Sequence, residues 1–176
     1  MKAYFMRHGQ TNYNVKDICS YKPTKKVHLT ELGKEQVKKV AEELKKEDLD
    51  AIFVSHLWRT MESANIINKY HNVKIIEDKR INDRKTGFNE KPHSEYLKAI
   101  EEDKFHIKIK DGESFQEEKA RVFSFLDDLK KMHYDNVLVI THEEPIKIIN
   151  GYFNNLSDEK MWEMKVPNAH LIKFDI

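Results

Sequence analysis

Lys2-Ala3-Tyr4-Phe5-Met6, followed by Arg7-His8-Gly9-Gln10-Thr11-Asn12-Tyr13-Asn14, is the stretch that decides how this chain is read. Its first five residues form a short, largely apolar run, the pattern of a buried strand. The run stops at an arginine and a histidine followed directly by a glycine. In open α/β sheets, ligands gather beyond the carboxyl ends of the strands. A glycine there lets backbone amides approach a ligand, because no Cβ stands in the way. A fixed cation, a titratable nucleophile and bare N–H groups thus fall together, a means to hold and attack a phosphoryl group. Alone, the tripeptide is a weak signal that reads by default as a surface turn, so its weight rests on partners elsewhere.

Two later strands end in a similar way. Ala51-Ile52-Phe53-Val54 runs into Ser55-His56-Leu57-Trp58-Arg59-Thr60 and a helix with Leu57, Met61, Ala64 and Ile67 inward. Val137-Leu138-Val139-Ile140 ends at Thr141-His142, and a helix from about Pro145 to Phe153 follows, with proline tolerated in its first turn. Between these, residues 12–29 lack periodicity and read as an exposed loop. Thr30 is placed to cap a helix whose apolar stripe is Leu32, Val37, Val40, Ala41 and Leu44. Lys74-Ile75-Ile76 is a shorter strand. Ser114 and Glu117 have capping-box spacing and open a helix with Val122, Phe123, Leu126 and Leu129 inward. Ser157 starts a last short helix, and His170 to Asp175 closes the chain as a strand. Strands alternating with helices predict a layered α/β fold. The carboxyl ends of strands 2–6, 51–54 and 137–140 are expected side by side at one edge of a mainly parallel sheet.

Residues 79–112 are the least regular part, with Gly87, Pro92 and Gly112 and a weak helical pattern from Tyr96 to Ile100. They read as a small insertion or lid within a single domain spanning 1–176. Basic residues outnumber acidic ones there, which points to a substrate with more than one negative charge.

The composition narrows the function classes. With 35% charged and 39% hydrophobic residues, the chain reads as one domain with solvated helix faces. A net charge of +1 demands neither a nucleic acid nor an anionic membrane as partner. The lone Cys19 has no disulfide partner within the chain, which fits a reducing compartment. Arg7 and His8 come too early for a signal peptide, and no run is long enough to span a membrane, so a cytoplasmic setting is expected. His28, His56, His71, His93, His106, His133 and His170 show no metal-ligand spacing, and no metal or cofactor is expected. Trp58 and Trp162 read as packing residues.

Arg7, His8, Arg59 and His142 therefore follow three strand ends, where their side chains can converge. Two guanidiniums grip a phosphoryl group bidentately and stay charged. A histidine beside two arginines has its charged form disfavoured and stays neutral and nucleophilic. A second histidine can donate to the transition state.

These residues and their surroundings resemble the histidine phosphatase superfamily, with its phosphoglycerate-mutase-like fold. The likeness runs through Arg7-His8-Gly9-Gln10-Thr11 with Asn14, Leu29-Thr30-Glu31-Leu32-Gly33 with Gln36, and Ser55 with Arg59-Thr60. It continues through Gly112-Glu113-Ser114, Thr141-His142 and Pro167-Asn168-Ala169. The resemblance implies a three-layer α/β/α fold and a phosphohistidine intermediate on His8. It places Arg7, Gly9, Gln10, Thr11, Asn14, Arg59 and His142 about the phosphate, with a carboxylic acid as proton donor and no metal.

There are departures from the family pattern. Asp83 stands where the family's acid is often a glutamate, one methylene longer, and Glu90 and Glu113 are the next candidates. Glu143 replaces the usual glycine after the second histidine, placing a negative charge near the phosphate site unless it turns away. The basic stretch of true phosphoglycerate mutases is absent, so a phosphatase acting on a small phosphorylated metabolite is expected before a mutase. The alternatives are a protein phosphohistidine phosphatase, favoured if 79–112 folds aside, and an inactive phosphate-binding module.

Overall fold

A computed structural model describes residues 1–176. The strands are β1 Lys2–Arg7, β2 Ala51–Val54, β3 Lys74–Glu77, β4 Asn136–Thr141 and β5 Leu171–Asp175. They form one sheet in the order β3-β2-β4-β1-β5, parallel except for β5, which pairs antiparallel with β1. Met6 and Val54 both lie level with Ile140, so the carboxyl ends of β1, β2 and β4 share one edge as expected. The three central strands are buried on both faces, which is why they read as continuous apolar runs.

Seven helices accompany the sheet: α1 Asn12–Lys16, α2 Glu31–Leu44, α3 Trp58–Ile67, α4 His93–Ala99, α5 Phe115–Leu129, α6 Glu143–Asn154 and α7 Asp158–Glu163. Alternate residues of each strand point to opposite faces, and the core divides accordingly. Tyr4, Met6, Ile52, Val54, Leu138 and Ile140 pack with Val37, Ala41 and Leu44 of α2 and Ala64 and Ile67 of α3. Phe5, Phe53, Val137 and Val139 pack on the other side with Val122, Phe125 and Leu126 of α5 and Ile146 and Ile149 of α6. This is a three-layer α/β/α arrangement. None of its helices is long and apolar enough to cross a membrane.

Several local expectations need correction. Residues 12–29 contain the short helix α1, capped by Thr11 and Asn14 in a reciprocal pair; it buries no residue, so it leaves no apolar period to read. Leu32 is 56% exposed, and Gly33 takes the inward position one residue later. Gly33 must be a glycine because a Cβ there would lie 2.0 Å from the carbonyl oxygen of Gln10. In α5 the fully buried aromatics are Phe115 and Phe125, and Phe123 is only partly covered. Helix α6 begins at Glu143, two residues before Pro145. Residues 79–112 hold a 3-10 turn at Lys79–Ile81 and helix α4. Tyr96 and Ile100 of this region close a small third cluster with Cys19.

Candidate active site

The site lies at the carboxyl edge of β1 and β4, in a cavity of about 540 Å³. Its floor is set by backbone bonds that continue the sheet: the His8 N–H donates to Thr141 O at 3.0 Å, and the Arg7 N–H to His170 O at 3.0 Å. Beyond His8 the chain rests on α2. Gly9 is packed so close to Gly33 that a Cβ would sit 2.5 Å from the Gly33 carbonyl. The Gln10 N–H donates to Gln36 Oε1 at 2.9 Å, while Gln10 Oε1 accepts from the Thr30 hydroxyl at 2.8 Å. Gly9 and Gln10 therefore anchor the loop, and neither lines the cavity.

The arrangement around His8 assigns its tautomer. Nδ1 lies 2.7 Å from the Gly9 carbonyl, which only accepts, so Nδ1 carries the proton. Nε2 lies 3.1 Å from Nε of Arg59, which only donates, so Nε2 presents a lone pair. Burial, with Arg59 and Arg7 adding to it, holds the His8 pKa well below the usual imidazole value. His8 is thus a neutral nitrogen nucleophile beside two cations.

His142 is the N-cap residue of α6, and its ring centroid stands 5.1 Å from that of His8. Its Nε2 is 2.7 Å from Ser55 Oγ, whereas Nδ1 is buried with no hydrogen-bond partner. Burial first, then Arg59 and His8, lower its pKa well below the usual value. Such an unpartnered buried nitrogen is costly unless a ligand completes it. A phosphoryl oxygen is the kind of acceptor that would.

Each of the two arginines already holds a carboxylate. Arg59 is buried and donates from NH2 to Asp83 Oδ2 at 2.9 Å and to Ser20 O at 3.0 Å. Asp83 Oδ2 also lies 3.8 Å from Nδ1 of His142. Arg7 NH1 pairs with Glu143 Oε2 at 2.7 Å and donates to the carbonyl of Val166. Glu143 does not turn away from the site. The loop that carries Asp83 is clamped from behind: Arg121 NH1 donates to the carbonyls of Arg80 at 2.7 Å and Asn82 at 2.9 Å, and the Thr141 hydroxyl donates to Ile81 O at 2.6 Å.

Thr11 and Asn14 both line the cavity. Oδ1 of Asn14 accepts from Thr11 and from Asn168, which leaves its NH2 as the end that can donate to a ligand. Glu90 and Glu113, the reserve acids, do not reach the cavity. Glu113 spends its carboxylate on Arg121, and Glu90 accepts from the Tyr13 hydroxyl. The lysines of 79–110 do not line it either, so their excess says nothing about substrate charge.

Sequence reasoning missed Arg84. It is buried and binds Glu118 at 2.6 Å, Glu144 at 2.9 Å and the Tyr96 hydroxyl at 2.9 Å. No local pattern marks a basic residue in an irregular stretch as buried. Ser55 and Asn168 did appear in recognised motifs, but their partners become visible only in three dimensions. No group of three or more His, Cys, Asp or Glu side chains is arranged to hold a metal ion.

The two depressed histidines carry a pH signature. In the unfolded chain both would titrate near 6.5. Below that pH the unfolded state binds more protons, so stability falls as pH falls, by up to about 1.4 kcal/mol per pH unit for each histidine. Glu118, pushed up to about 7 by burial, works in the opposite direction over the same range. Urea unfolding of wild type and His8→Ala across about pH 7 to pH 5 isolates the His8 contribution. The wild-type slope should be steeper, by an amount that grows to about 1.4 kcal/mol per pH unit toward pH 5. Parallel slopes would mean that His8 is not held neutral.

The sequence model described as histidine phosphatase superfamily (branch 1) matches residues 3–176. Phosphoserine phosphatase 1 of Hydrogenobacter thermophilus is 28% identical over 179 residues, covering 96% of this chain and 83% of that protein. Fructose-2,6-bisphosphatase of Saccharomyces cerevisiae is 30% identical over 98% of this chain, which corresponds to 38% of that longer protein. The crystal structure of the alpha-ribazole phosphatase from Shigella flexneri superimposes with a TM-score of 0.89 at 24% identity, covering 100% of this chain and 91% of that one. That last likeness establishes the shared fold.

Proposed function

This chain belongs to the histidine phosphatase superfamily (branch 1) and is an enzyme of that phosphatase type; on that premise we propose that it hydrolyses a small phosphorylated metabolite through a phosphohistidine on His8. The observation that carries the proposal is the unprotonated Nε2 of His8, which accepts from Arg59 Nε at 3.1 Å and stands beside His142, whose Nδ1 has no partner.

The substrate phosphate enters against Arg7 and Arg59, displacing the carboxylates that they hold. It meets donors from Asn14 and His142 as well. Nε2 of His8 attacks phosphorus, forming the P–N bond as the ester P–O bond breaks. Negative charge that builds on the phosphoryl oxygens is met by two guanidiniums and by His142, fixed in place before the reaction begins. Asp83, released from Arg59, takes the proton that the substrate brings as a phosphate monoanion and passes it to the departing oxygen, which leaves as the alcohol. Water then attacks phosphorus of the phosphohistidine, with Asp83 taking the proton, and inorganic phosphate leaves. His8 returns to its neutral form.

A small substrate is supported by the wall of the cavity. Asp83, Arg84, Thr86, His93, Tyr96 and Leu97 all line it, so residues from 79–112 form part of its wall. A phosphohistidine on another protein would need an open, shallow site. The names of the phosphoserine and alpha-ribazole phosphatases point the same way. The test is phosphate release from a panel of phosphorylated metabolites in EDTA. At least one small phosphomonoester should turn over at an undiminished rate. Activity confined to phosphohistidine on a protein, or strictly dependent on added metal, would contradict the reading.

A further inference from the structure

Both phosphate-gripping arginines carry a carboxylate, and the chemistry accounts for only one of them. Asp83, on Arg59, has a proton to relay between substrate and leaving group. Glu143, on Arg7, has no step to perform, yet its carboxylate borders the cavity with Oε2 2.7 Å from Arg7. When a phosphate takes Arg7, Glu143 has somewhere to stay: its Oε1 is 3.3 Å from Nζ of Lys147, one turn along α6. Lys147 does not neutralise it fully, because the same ammonium lies 2.7 Å from Glu144.

The other cations of the wall are spoken for as well. Arg84 is divided between Glu118 and Glu144. Lys165 is the exception: it is exposed and makes no ion pair, though Glu163 also lines the rim. Asp17 adds a further carboxylate to the lining. Beyond the phosphate grip, then, the carboxylates of Asp17, Glu143, Glu144 and Glu163 line the cavity against the cations of Arg84, Lys147 and Lys165, and Glu143 is the one of these carboxylates bonded to a phosphate-gripping arginine. Its side chain is 35% exposed, so water screens it without removing its field.

We propose that Glu143 makes the site selective for phosphomonoesters whose leaving group carries an ammonium or similar cation near the ester oxygen, and turns away those that carry a carboxylate or a second phosphate there. This rests on the phosphatase reading and names its substrate class. A cation in the leaving group replaces Arg7 as the partner of Glu143, so the displaced carboxylate does not stay unpaired. An anion in the same place meets Glu143 and Glu144 as like charges, a juxtaposition that discriminates against wrong partners. The Tyr13, Leu97, Trp162 and Met164 side chains that complete the wall supply apolar contact without altering that balance.

Two small esters of similar size give the test: 2-aminoethyl phosphate and phosphoglycolate. In the wild type, kcat/KM should favour the aminoethyl ester by roughly tenfold or more, the scale of one partly screened charge pair at a protein surface. Glu143→Gln keeps the size and the hydrogen bond to Arg7 but removes the charge. It should shrink that preference by roughly tenfold, chiefly through KM, and tighten binding of inorganic phosphate by a similar factor. A merely structural role for Glu143 at the start of α6 would not move a preference between substrates. A wild-type preference for phosphoglycolate, or a ratio that Glu143→Gln leaves unchanged, would overturn the proposal. Calorimetric titration with inorganic phosphate decides the matter separately from turnover. Equal phosphate affinity in wild type and Glu143→Gln removes the charge selection and leaves the phosphatase. Tighter binding in Glu143→Gln, with no ester hydrolysed by either protein, removes the phosphatase and leaves the effect of Glu143 on anion binding. If the wild type binds no phosphate at all, both fall.

Discussion

His8→Ala should lower phosphate release by roughly ten-thousandfold or more, the scale seen when a nucleophile that works in concert with its neighbours is removed. The loss should fall on kcat, because Arg7, Arg59 and His142 still bind the phosphate. His142→Ala should behave differently. It removes one donor to the phosphoryl oxygens, an interaction worth roughly a hundredfold to a thousandfold in comparable sites, and leaves the nucleophile in place. Steady-state kinetics on a single phosphomonoester separate the two. Wild-type turnover in His8→Ala would mean that water attacks the substrate directly and that His8 merely fills the floor of the cavity.

Asp83→Asn should divide substrates by their leaving group. An alkoxide needs a proton as the bond breaks, whereas p-nitrophenolate departs nearly without one. The asparagine keeps an oxygen for Arg59, now 2.9 Å from Asp83, so the guanidinium has a partner in the variant too. Hydrolysis of alkyl phosphates should fall by about 100-fold or more, with a much smaller effect on p-nitrophenyl phosphate. Equal loss on both would assign Asp83 to the second step, as the base that activates water against phospho-His8. No loss on either would move the acid to another carboxylate in the cavity. Glu143 is then the group in position, because Glu90 and Glu113 do not line the site.

Much of this architecture was legible in the chain. Central strands of a parallel sheet are buried on both faces, so β1, β2 and β4 announce themselves as unbroken apolar runs. Helix α5 is marked by Ser114 and Glu117, whose reciprocal bonds form as the spacing predicts. Arg7, His8, Arg59 and His142 each follow a strand end, and a parallel sheet places such ends together. Other features were hidden for physical reasons. Helix α1 buries nothing, so no periodicity reports it. Leu32 looks like a core residue, but a close backbone approach at Gly33 rotates the helix by one position. Arg84 is charged and stands in an irregular stretch, and only the carboxylates of Glu118 and Glu144, far away in sequence, make its burial tolerable. Glu143 could be flagged as out of place, but whether it met Arg7 or turned outward depended on where α6 began.

The central claim is that phosphorus becomes bonded to Nε2 of His8. Mixing the enzyme with a substrate labelled in its phosphate, quenching in base, where phosphohistidine survives, and mapping the labelled peptide tests it most directly. The account predicts label on the peptide that contains His8, formed and lost at rates no slower than turnover, and none on that peptide in His8→Ala. Label on any other residue, or steady hydrolysis with no labelled protein at any time after mixing, would contradict it.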